Sequence, residues 1–312
     1  MVSTMPTAAL PVLFSDRHFP DEYRHLLDGR AVMCGPGDDD LATADAVIAG
    51  ATRPWNAAAF ALGPRLKVIS RIGVGYDNVM VADANAAGIA VCYAPVAPSV
   101  STAEHALALM LAITKSLPSH IARAAQGFTG GDASGLELDG RTLGLVGLGR
   151  IARRVAVAGV ALGMRVVACD PFVVDAAIDG VTMASFADVL AAADVVSLHA
   201  PATVDTRHMI GVDALAQMKP GAYLVNCARG TLVDQDALLA ALNDGRLAGA
   251  ALDVTDPEPL PVGHPLLSHP AVIVTPHIAS STAAGRRRLY EHAIDNALNF
   301  LAGQPCTLVP QG

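Results

Sequence analysis

The apolar residues of this chain form short runs that alternate with amphipathic stretches, a pattern that indicates a mostly parallel sheet with helices on both faces. Within the first hundred residues, this pattern predicts five strands, at 10–15, 31–35, 44–50, 67–73 and 89–94. Short helices are predicted between some of these strands, at about 21–28, 55–62 and 80–87. The N-terminal third is therefore predicted to belong to an α/β unit.

A second alternation fills the middle of the chain. A helix is predicted first, over 101–116, with Ser101 as its N-cap and Glu104 completing a capping box. A loop rich in Gly and Asp is predicted over 127–135. Six strands follow, at 142–147, 165–169, 194–200, 222–227, 249–253 and 271–276. Six strands are the number expected of a doubly wound dinucleotide-binding domain.

A long helix over about 282–302 is the last predicted element. Its apolar residues recur at helical spacing, at Leu289, Ile294, Leu298 and Leu301. We expect this helix to return to the N-terminal unit, so that a domain made of both chain ends surrounds a central one. The predicted domains are residues 1–99 together with 284–312, and residues 100–283. The chain would pass between these two domains twice, which implies a cleft between them.

Composition and charge narrow the choice of partners. With 312 residues, and a prior of about 150 residues per domain, two domains are expected. The formal net charge of −8 argues against nucleic acid as a partner, because binding phosphates needs a basic face. The longest uncharged apolar run in the middle of the chain, residues 155–164, is shorter than the roughly 18 residues that span a bilayer. We therefore expect no membrane partner.

Cysteine usage and the N-terminal residues indicate the compartment. The N-terminus lacks the basic start and long apolar stretch of a signal peptide. The five cysteines are scattered, without the spacing of a zinc site or of a disulfide framework. Reduced thiols, buried as small apolar side chains, are the simpler interpretation. We expect a cytoplasmic protein that holds no metal.

The glycine-rich segment Gly147-Leu-Gly149-Arg-Ile-Ala152 matches the pattern G-x-G-x-x-G/A of dinucleotide-binding domains. Alone this motif is weak, but here it follows a predicted strand and opens a predicted helix. Gly147 allows the tight turn, and Gly149 lets a pyrophosphate approach the backbone. The N–H groups and the dipole at the helix start favour the phosphates. The segment therefore predicts a dinucleotide site.

Asp170 indicates which dinucleotide is bound. It ends the second strand of the predicted unit, 23 residues after Gly147, where a carboxylate accepts hydrogen bonds from the adenosine ribose hydroxyls. The same carboxylate repels a 2′-phosphate, and the segment CDPF offers no arginine to bind one. NAD (or NADH) is therefore favoured over NADP.

Three polar residues downstream of this motif have the chemistry needed to reduce the ketone of a 2-oxo acid. Arg229 is a cation, Glu258 a carboxylate and His277 an imidazole. Taken singly, they are explained equally well as a turn residue, a solvated charge and a loop histidine. However, each follows the C-terminal end of a predicted parallel strand, and doubly wound sheets bind ligands at that edge. We therefore expect them to share one site.

The chain resembles the D-isomer-specific 2-hydroxyacid dehydrogenases over nearly its whole length. The matching segments are SRIGVGYDNV, STAEHALALML, GLVGLGRIA, HAPATVDTRHMI, MKPGAYLVNCARGTLVDQDAL, GAALDVTDPEPL and VTPHIASST. The resemblance implies two similar doubly wound domains, a flavodoxin-like substrate domain and a Rossmann cofactor domain, with the cleft between them. It also implies a homodimer and a nicotinamide cofactor.

The resemblance also implies a role for individual residues. His277 would be the acid/base, paired with Glu258 so that the imidazole stays protonated near neutrality. Arg229 would bind the substrate carboxylate, together with the backbone N–H groups of Val74 and Gly75. Further cofactor contacts are implied at Thr102, Arg150, Ile151, Pro201, Thr206, Cys227, Ala228 and Asp253, the last of these to the carboxamide.

Two alternatives stay open at this stage. The substrate is expected to be a small 2-oxo acid such as glyoxylate, hydroxypyruvate or pyruvate, with 3-phosphoglycerate as the alternative. The phosphoglycerate-specific relatives have an arginine where this chain has Ala49 to Thr52, although Arg53 and Arg71 could replace it. Some relatives of this fold are NAD(H)-sensing corepressor-like scaffolds. The presence of all three catalytic residue types favours an enzyme.

Overall fold

The computed structural model describes residues 9–130 and 135–310. Within this part the chain divides into two units. One takes the residues up to Pro98 together with those from Thr282 onward, and the other is Ser99–Ser281. Of the loop predicted over 127–135, residues 131–134 lie outside the described part.

Five parallel strands form the sheet of the first unit. They are β1 (Val12–Ser15), β2 (Val32–Cys34), β3 (Ala46–Ala49), β4 (Val68–Arg71) and β5 (Ala90–Cys92). The helical elements between them are a 3₁₀ helix (Asp21–Leu27), α1 (Asp38–Leu41), α2 (Ala57–Ala61) and α3 (Val81–Ala86). The strand order is β2-β1-β3-β4-β5, which is the flavodoxin-like order. All five predicted strands are present. Strands β3 and β4 are buried throughout, whereas β2 is an edge strand with Val32 exposed.

The second unit begins with two helices, α4 (Ser99–Thr114) and α5 (Leu117–Ala125). The alternation that follows is β6 (Thr142–Val146), α6 (Arg150–Ala161), β7 (Arg165–Cys169), β8 (Val181–Met183), α7 (Phe186–Ala192), β9 (Val195–Leu198) and α8 (Val212–Gln217). It continues with β10 (Ala222–Asn226), a 3₁₀ turn (Gly230–Leu232), α9 (Gln235–Asn243), β11 (Leu247–Leu252), α10 (Pro265–Ser268) and β12 (Val272–Val274). No helix in the described ranges is long and apolar enough to cross a membrane.

The second sheet is parallel throughout, in the order β12-β11-β10-β9-β6-β7-β8. From β6 the chain proceeds outward to β7 and β8, then returns to β9 on the other side of β6. The gap between β6 and β9 is the switch point at which doubly wound sheets bind ligands. The predicted α/β fold with two doubly wound parallel sheets is confirmed.

Two details of the sequence prediction were wrong. The second sheet has seven strands in its described part rather than six, because β8 is a three-residue edge strand whose side chains are only partly buried. Helix α4 begins at Ser99, directly after Pro98, so Ser101 lies inside the helix, where it is buried, and is not its N-cap. The helix therefore begins two residues upstream of the predicted start.

The last helix, α11 (Ala283–Leu301), packs on the first sheet. Its buried residues Tyr290, Ile294 and Ala297 share one apolar cluster with Leu13 and Ile48 of the strands. The second sheet has a separate apolar cluster on each face, and α4 contributes to one of them. Each unit therefore has its own core.

Candidate functional site

The strand register of the second sheet brings five strand ends into one row. Val146 of β6 pairs with Leu198 of β9, Leu198 pairs with Asn226 of β10, and Asn226 pairs with Leu252 of β11. Leu252 in turn pairs with Val274 of β12. The segments that follow these residues, which carry the glycine turn and the three candidate catalytic residues, therefore leave the sheet at the same edge.

The glycine turn after β6 requires glycine at its first position. Gly147 has a φ of +92°, and a Cβ there would lie 2.8 Å from the backbone carbon of His199. A Cβ at Gly149, in contrast, would meet no atom of the described residues within 4 Å, apart from its own chain neighbours. The protein itself therefore does not require glycine at 149, and the free space beside it fits a ligand that approaches the backbone.

Helix α6 begins directly after Gly149, with Arg150 exposed and Ile151 half-buried. Gly149 has no side chain to cap the helix, so the first N–H groups are available to an anion. Ala152 is fully buried in the apolar cluster between the helix and the sheet, where its small side chain permits close packing. This turn and helix are the arrangement that binds a pyrophosphate.

Asp170 borders the same turn. Its Oδ2 accepts a hydrogen bond of 2.8 Å from the N–H of Leu148, and its Oδ1 accepts one of 2.9 Å from Phe172. The side chain is half-buried, and each oxygen keeps a second lone pair. The carboxylate thus fixes the glycine turn and can still accept a hydrogen bond from a ligand, a double role that the sequence alone did not reveal.

The remaining predicted cofactor residues, except Thr102, follow nearby strand ends. Pro201 O accepts a 2.7 Å hydrogen bond from the Thr206 hydroxyl, which closes the loop after β9. Cys227 and Ala228 follow β10, and burial together with the charge of Asp253 raises the pKa of the Cys227 thiol. That thiol stays protonated, which fits a role through its backbone. Thr102 is buried in α4.

Arg229 lies in a turn that closely approaches the next loop. Asn226 Nδ2 donates to the carbonyl of Arg229 at 2.8 Å, and Arg229 Nη1 donates to the carbonyl of Ala228 at 2.7 Å. A Cβ at Gly230 would lie 2.0 Å from the backbone of Thr255, so only glycine permits this approach. The contact brings Arg229 beside the loop that carries Glu258.

His277 and Glu258 are directly hydrogen-bonded. Nδ1 of His277 lies 2.6 Å from Oε1 of Glu258, and 41% and 42% of the respective side-chain surfaces are exposed. Burial raises the pKa of the Glu258 carboxyl, but the hydrogen bond and charge of His277, a backbone hydrogen bond at Thr255 and the charge of Arg229 together outweigh it. The net pKa is below its usual value, so Glu258 is an anion next to an accessible imidazole.

The backbone at His277 is held in a left-handed conformation by Asp253. The φ of His277 is +51°, a conformation that costs a non-glycine residue about 1–3 kcal/mol. The N–H of His277 donates to the carbonyl of Asp253 at 2.9 Å. The fully buried Asp253 carboxylate accepts 2.9 Å hydrogen bonds from the N–H groups of Ile278 and Ala279 and one of 2.6 Å from the Thr275 hydroxyl. These bonds hold the imidazole in position.

Sequence reasoning missed His105. Its Nε2 lies 3.3 Å from Oδ1 of Asp253 and 3.2 Å from the Thr275 hydroxyl, so α4 buttresses the loop that carries His277. The available signal was a histidine in an otherwise apolar part of STAEHALALML. Asp253 was predicted only as a cofactor contact. In the structure its buried carboxylate also binds the backbone of the loop that carries His277.

Val74 and Gly75 belong to the other unit, in the turn after β4. The carbonyl of Gly75 accepts a 2.8 Å hydrogen bond from Nε of Arg71, and Nη1 of Arg71 donates to Ala49 at 2.8 Å. Arg53 is paired with Asp38 at 2.8 Å and lies over the Trp55 ring. The two arginines proposed as phosphate ligands therefore already hold structural contacts.

Comparison with known proteins identifies similar chains. The family model described as "D-isomer specific 2-hydroxyacid dehydrogenase, NAD binding domain" matches residues 107–279. The D-3-phosphoglycerate dehydrogenase of Bacillus subtilis is 35% identical over 302 residues, which are 94% of this chain and 57% of that protein. The glyoxylate reductase of Thermofilum pendens is 37% identical over 268 residues, which are 83% of this chain and 79% of that protein.

A solved structure shows the same fold. The D-lactate dehydrogenase of Aquifex aeolicus, complexed with NAD and lactic acid, is 31% identical and aligns with a TM-score of 0.83. The alignment covers 94% of this chain and 96% of that one. The present chain spans little more than half the length of the phosphoglycerate dehydrogenases that it matches.

Proposed function

This chain belongs to the D-isomer specific 2-hydroxyacid dehydrogenase family, and on that basis we propose that it transfers a hydride between NAD and a small 2-oxo or 2-hydroxy acid. The observation that supports this reaction most is the 2.6 Å hydrogen bond between His277 and Glu258, with Arg229 next to the carboxylate. The three side chains follow strands that end at one edge of the NAD-binding sheet.

The proposed reaction divides its steps among these three residues. Arg229 binds the substrate carboxylate through its planar guanidinium, which fixes the position of the adjacent oxo group. Nδ1 of His277 is occupied by Glu258, so Nε2 is the nitrogen that gives its proton to the oxo oxygen. Bound NADH supplies the hydride to the carbonyl carbon. In the oxidative direction, Nε2 takes the proton back.

Glu258→Gln is expected to shift the acid/base behaviour. The amide keeps a hydrogen-bonding side chain but removes the negative charge that faces Nδ1 of His277. Because proton donation to the oxo oxygen is proposed to depend on this His–Glu pair, the pH optimum for reduction should move down. The measurement is kcat for reduction against pH. Asp256→Asn is the matched control, because it removes a carboxylate charge on the same loop that pairs with Arg207 and not with His277, and it should leave the optimum unchanged. An unchanged optimum in Glu258→Gln would count against the pair.

Asp170 is proposed to select NAD over NADP. Asp170→Asn removes the charge that repels a 2′-phosphate and keeps one of the two acceptor oxygens that receive the N–H groups of Leu148 and Phe172. The loss of the other hydrogen bond affects both cofactors alike, so the comparison is made as a ratio. The ratio of kcat/KM with NADH to kcat/KM with NADPH should therefore fall by at least about tenfold relative to the native protein. Asp175→Asn, on the same loop, is the control and should leave the preference unchanged. Native efficiency with NADPH equal to that with NADH would refute this assignment.

His105 is proposed as a positioning residue for His277. His105→Ala removes the Nε2 group that contacts Asp253 and Thr275, and kcat is expected to fall by about tenfold or more while the KM for NADH stays constant. His105→Gln places an amide N–H near the same position and should restore most of kcat. Glu104→Ala, an exposed neighbour on α4, is the matched control. A Gln variant as slow as the Ala variant would exclude the hydrogen-bonding role.

The substrate is proposed to be a small 2-oxo acid such as glyoxylate, hydroxypyruvate or pyruvate. The names of the phosphoglycerate dehydrogenases among its relatives support 3-phosphoglycerate as the alternative. Against it stand the structural contacts already made by Arg53 and Arg71. Measuring NADH oxidation with these acids and with phosphohydroxypyruvate distinguishes a small 2-oxo acid substrate from a phosphorylated one. If none of them is turned over, the proposed reaction is wrong.

We further propose that the protein works as a cytoplasmic homodimer without nucleic acid or membrane partners. The homodimer rests on the family resemblance, and the compartment on the free cysteines. The mass in solution, measured by light scattering after gel filtration, tests the first of these. A monomeric mass at working concentration would contradict it.

A further inference from the structure

Two cysteines that lie 214 residues apart in the sequence face each other in the first unit. The Sγ atoms of Cys92 and Cys306 are 3.7 Å apart, and both are free thiols. Cys92 ends β5 and is fully buried, whereas Cys306 follows α11 and is partly exposed. Spacing alone predicts isolated small apolar side chains, and for this pair that interpretation was incomplete.

Backbone hydrogen bonds hold the pair in place before any reaction. The N–H of Tyr93 donates to the carbonyl of Thr307 at 3.1 Å, and the N–H of Val309 donates to Val91 at 2.9 Å. The segment around Cys306 is thus attached to β5. A disulfide has an S–S length of about 2.05 Å, so the sulfurs need to close by roughly 1.7 Å. The proposed bond requires side-chain rotation of that size.

A cavity borders one of the two cysteines. Cys306 lines a cavity of about 400 Å³ together with His292, Asn296 and Asn299, a size that admits a small organic molecule. Cys92 is not part of the cavity wall and lies behind Cys306.

We propose that Cys92 and Cys306 form a reversible dithiol site whose substrate is a low-molecular-weight disulfide, RSSR. The Cys306 thiolate attacks one sulfur of RSSR, the S–S bond of RSSR breaks, and RS⁻ leaves and takes up a proton. Cys92 then attacks the Cys306 sulfur of the mixed disulfide. Its proton passes to the second departing RS⁻, and the Cys92–Cys306 bond forms. In total, two protein thiols are oxidised and RSSR is reduced to two RSH.

The order of these two steps follows from the environments of the thiols. Burial, and next the proximity of Cys306, raise the pKa of the Cys92 thiol far above its usual value, so Cys92 stays protonated and does not react first. Once Cys306 carries the RS group, the second attack is intramolecular. The product ties β5 to the C-terminal segment and closes a chain loop that contains the whole of the second unit. This site does not depend on the proposed dehydrogenase reaction.

Thiol mapping on the native protein tests the proposal, and its result does not depend on whether a variant folds. The protein is incubated with oxidised glutathione, unreacted thiols are alkylated under denaturing conditions, and the peptides are identified by mass spectrometry. We expect two of the five thiols to be lost and the Cys92 and Cys306 peptides to be joined. Excess reduced glutathione should restore both thiols.

Three variants separate the steps. Cys92→Ser should stop at a glutathione mixed disulfide on Cys306, and Cys306→Ser should leave Cys92 unmodified. Cys34→Ser, which removes another partly exposed thiol, is the matched control and should leave the joined peptides unchanged. Full alkylation of native Cys92 and Cys306 after treatment would overturn the proposal, as would a stable mixed disulfide on native Cys306.

Discussion

His277→Ala is expected to lower kcat for 2-oxo acid reduction by about 10³–10⁴-fold while NADH still binds with native affinity. The imidazole is the only group that we assign to proton transfer, and its Nδ1 is held by Glu258 at 2.6 Å. The loop that carries it is fixed by the backbone and carboxylate of Asp253, not by the imidazole, so the fold of the loop should survive. The measurement pairs steady-state turnover with NADH fluorescence titration.

Two further variants make this prediction specific to His277. His277→Asn retains a residue type that tolerates the left-handed backbone, and it should be as inactive as the alanine variant. His208→Ala removes an exposed histidine that has the same φ of +51° in the same unit, and it should remain active. Parallel loss of NADH binding in the His277 variants would indicate a structural histidine and contradict the acid/base role.

Arg229→Gln is expected to lower kcat/KM for the 2-oxo acid by about 10²–10³-fold, mainly by weakening substrate binding. A neutral amide cannot replace a guanidinium that binds a carboxylate through two parallel hydrogen bonds. Arg229→Lys keeps the charge but not this geometry, and should recover only part of the loss. The affinity for NADH should stay within about twofold of the native value, because the cofactor is bound mainly at the glycine turn.

The pH dependence of Arg229→Gln provides a second readout. The positive charge of Arg229 contributes to the lowered pKa of the Glu258 carboxyl, so its removal should raise that pKa and move the acidic limb of the pH–rate profile upward. Arg207→Gln is the matched control, since it removes an exposed arginine near Asp256 in the same unit. A native profile and a native KM in Arg229→Gln would contradict contact with the substrate carboxylate.

The fold could be predicted from the sequence where burial decides the pattern. Buried parallel strands are continuous apolar runs, and the eleven predicted strands are all found in the structure. The strand that was missed, Val181–Met183, is a half-buried edge strand with no such run. The helix Leu117–Ala125 was also missed, and its apolar residues Leu117 and Ile121 are exposed in the structure.

The candidate site was predictable as far as strand ends are concerned. Arg229, Glu258 and His277 could be assigned to one sheet edge because parallel strands end together. The supporting contacts could not be found in this way. His105 lies 170 residues before Thr275, and Cys92 lies 214 residues before Cys306, so only the folded chain brings each pair together. The spacing of residues along the sequence does not predict such contacts.

A single-turnover experiment tests the central claim most directly. The native protein and His277→Asn are each loaded with NADH and mixed rapidly with glyoxylate, hydroxypyruvate or pyruvate, and the loss of NADH absorbance is followed. We predict that the native protein oxidises its bound NADH with at least one of these acids, while the variant binds NADH equally and oxidises it at least about a hundredfold more slowly. Equal rates in the two proteins, or no oxidation by the native protein with any of the acids, would contradict the account.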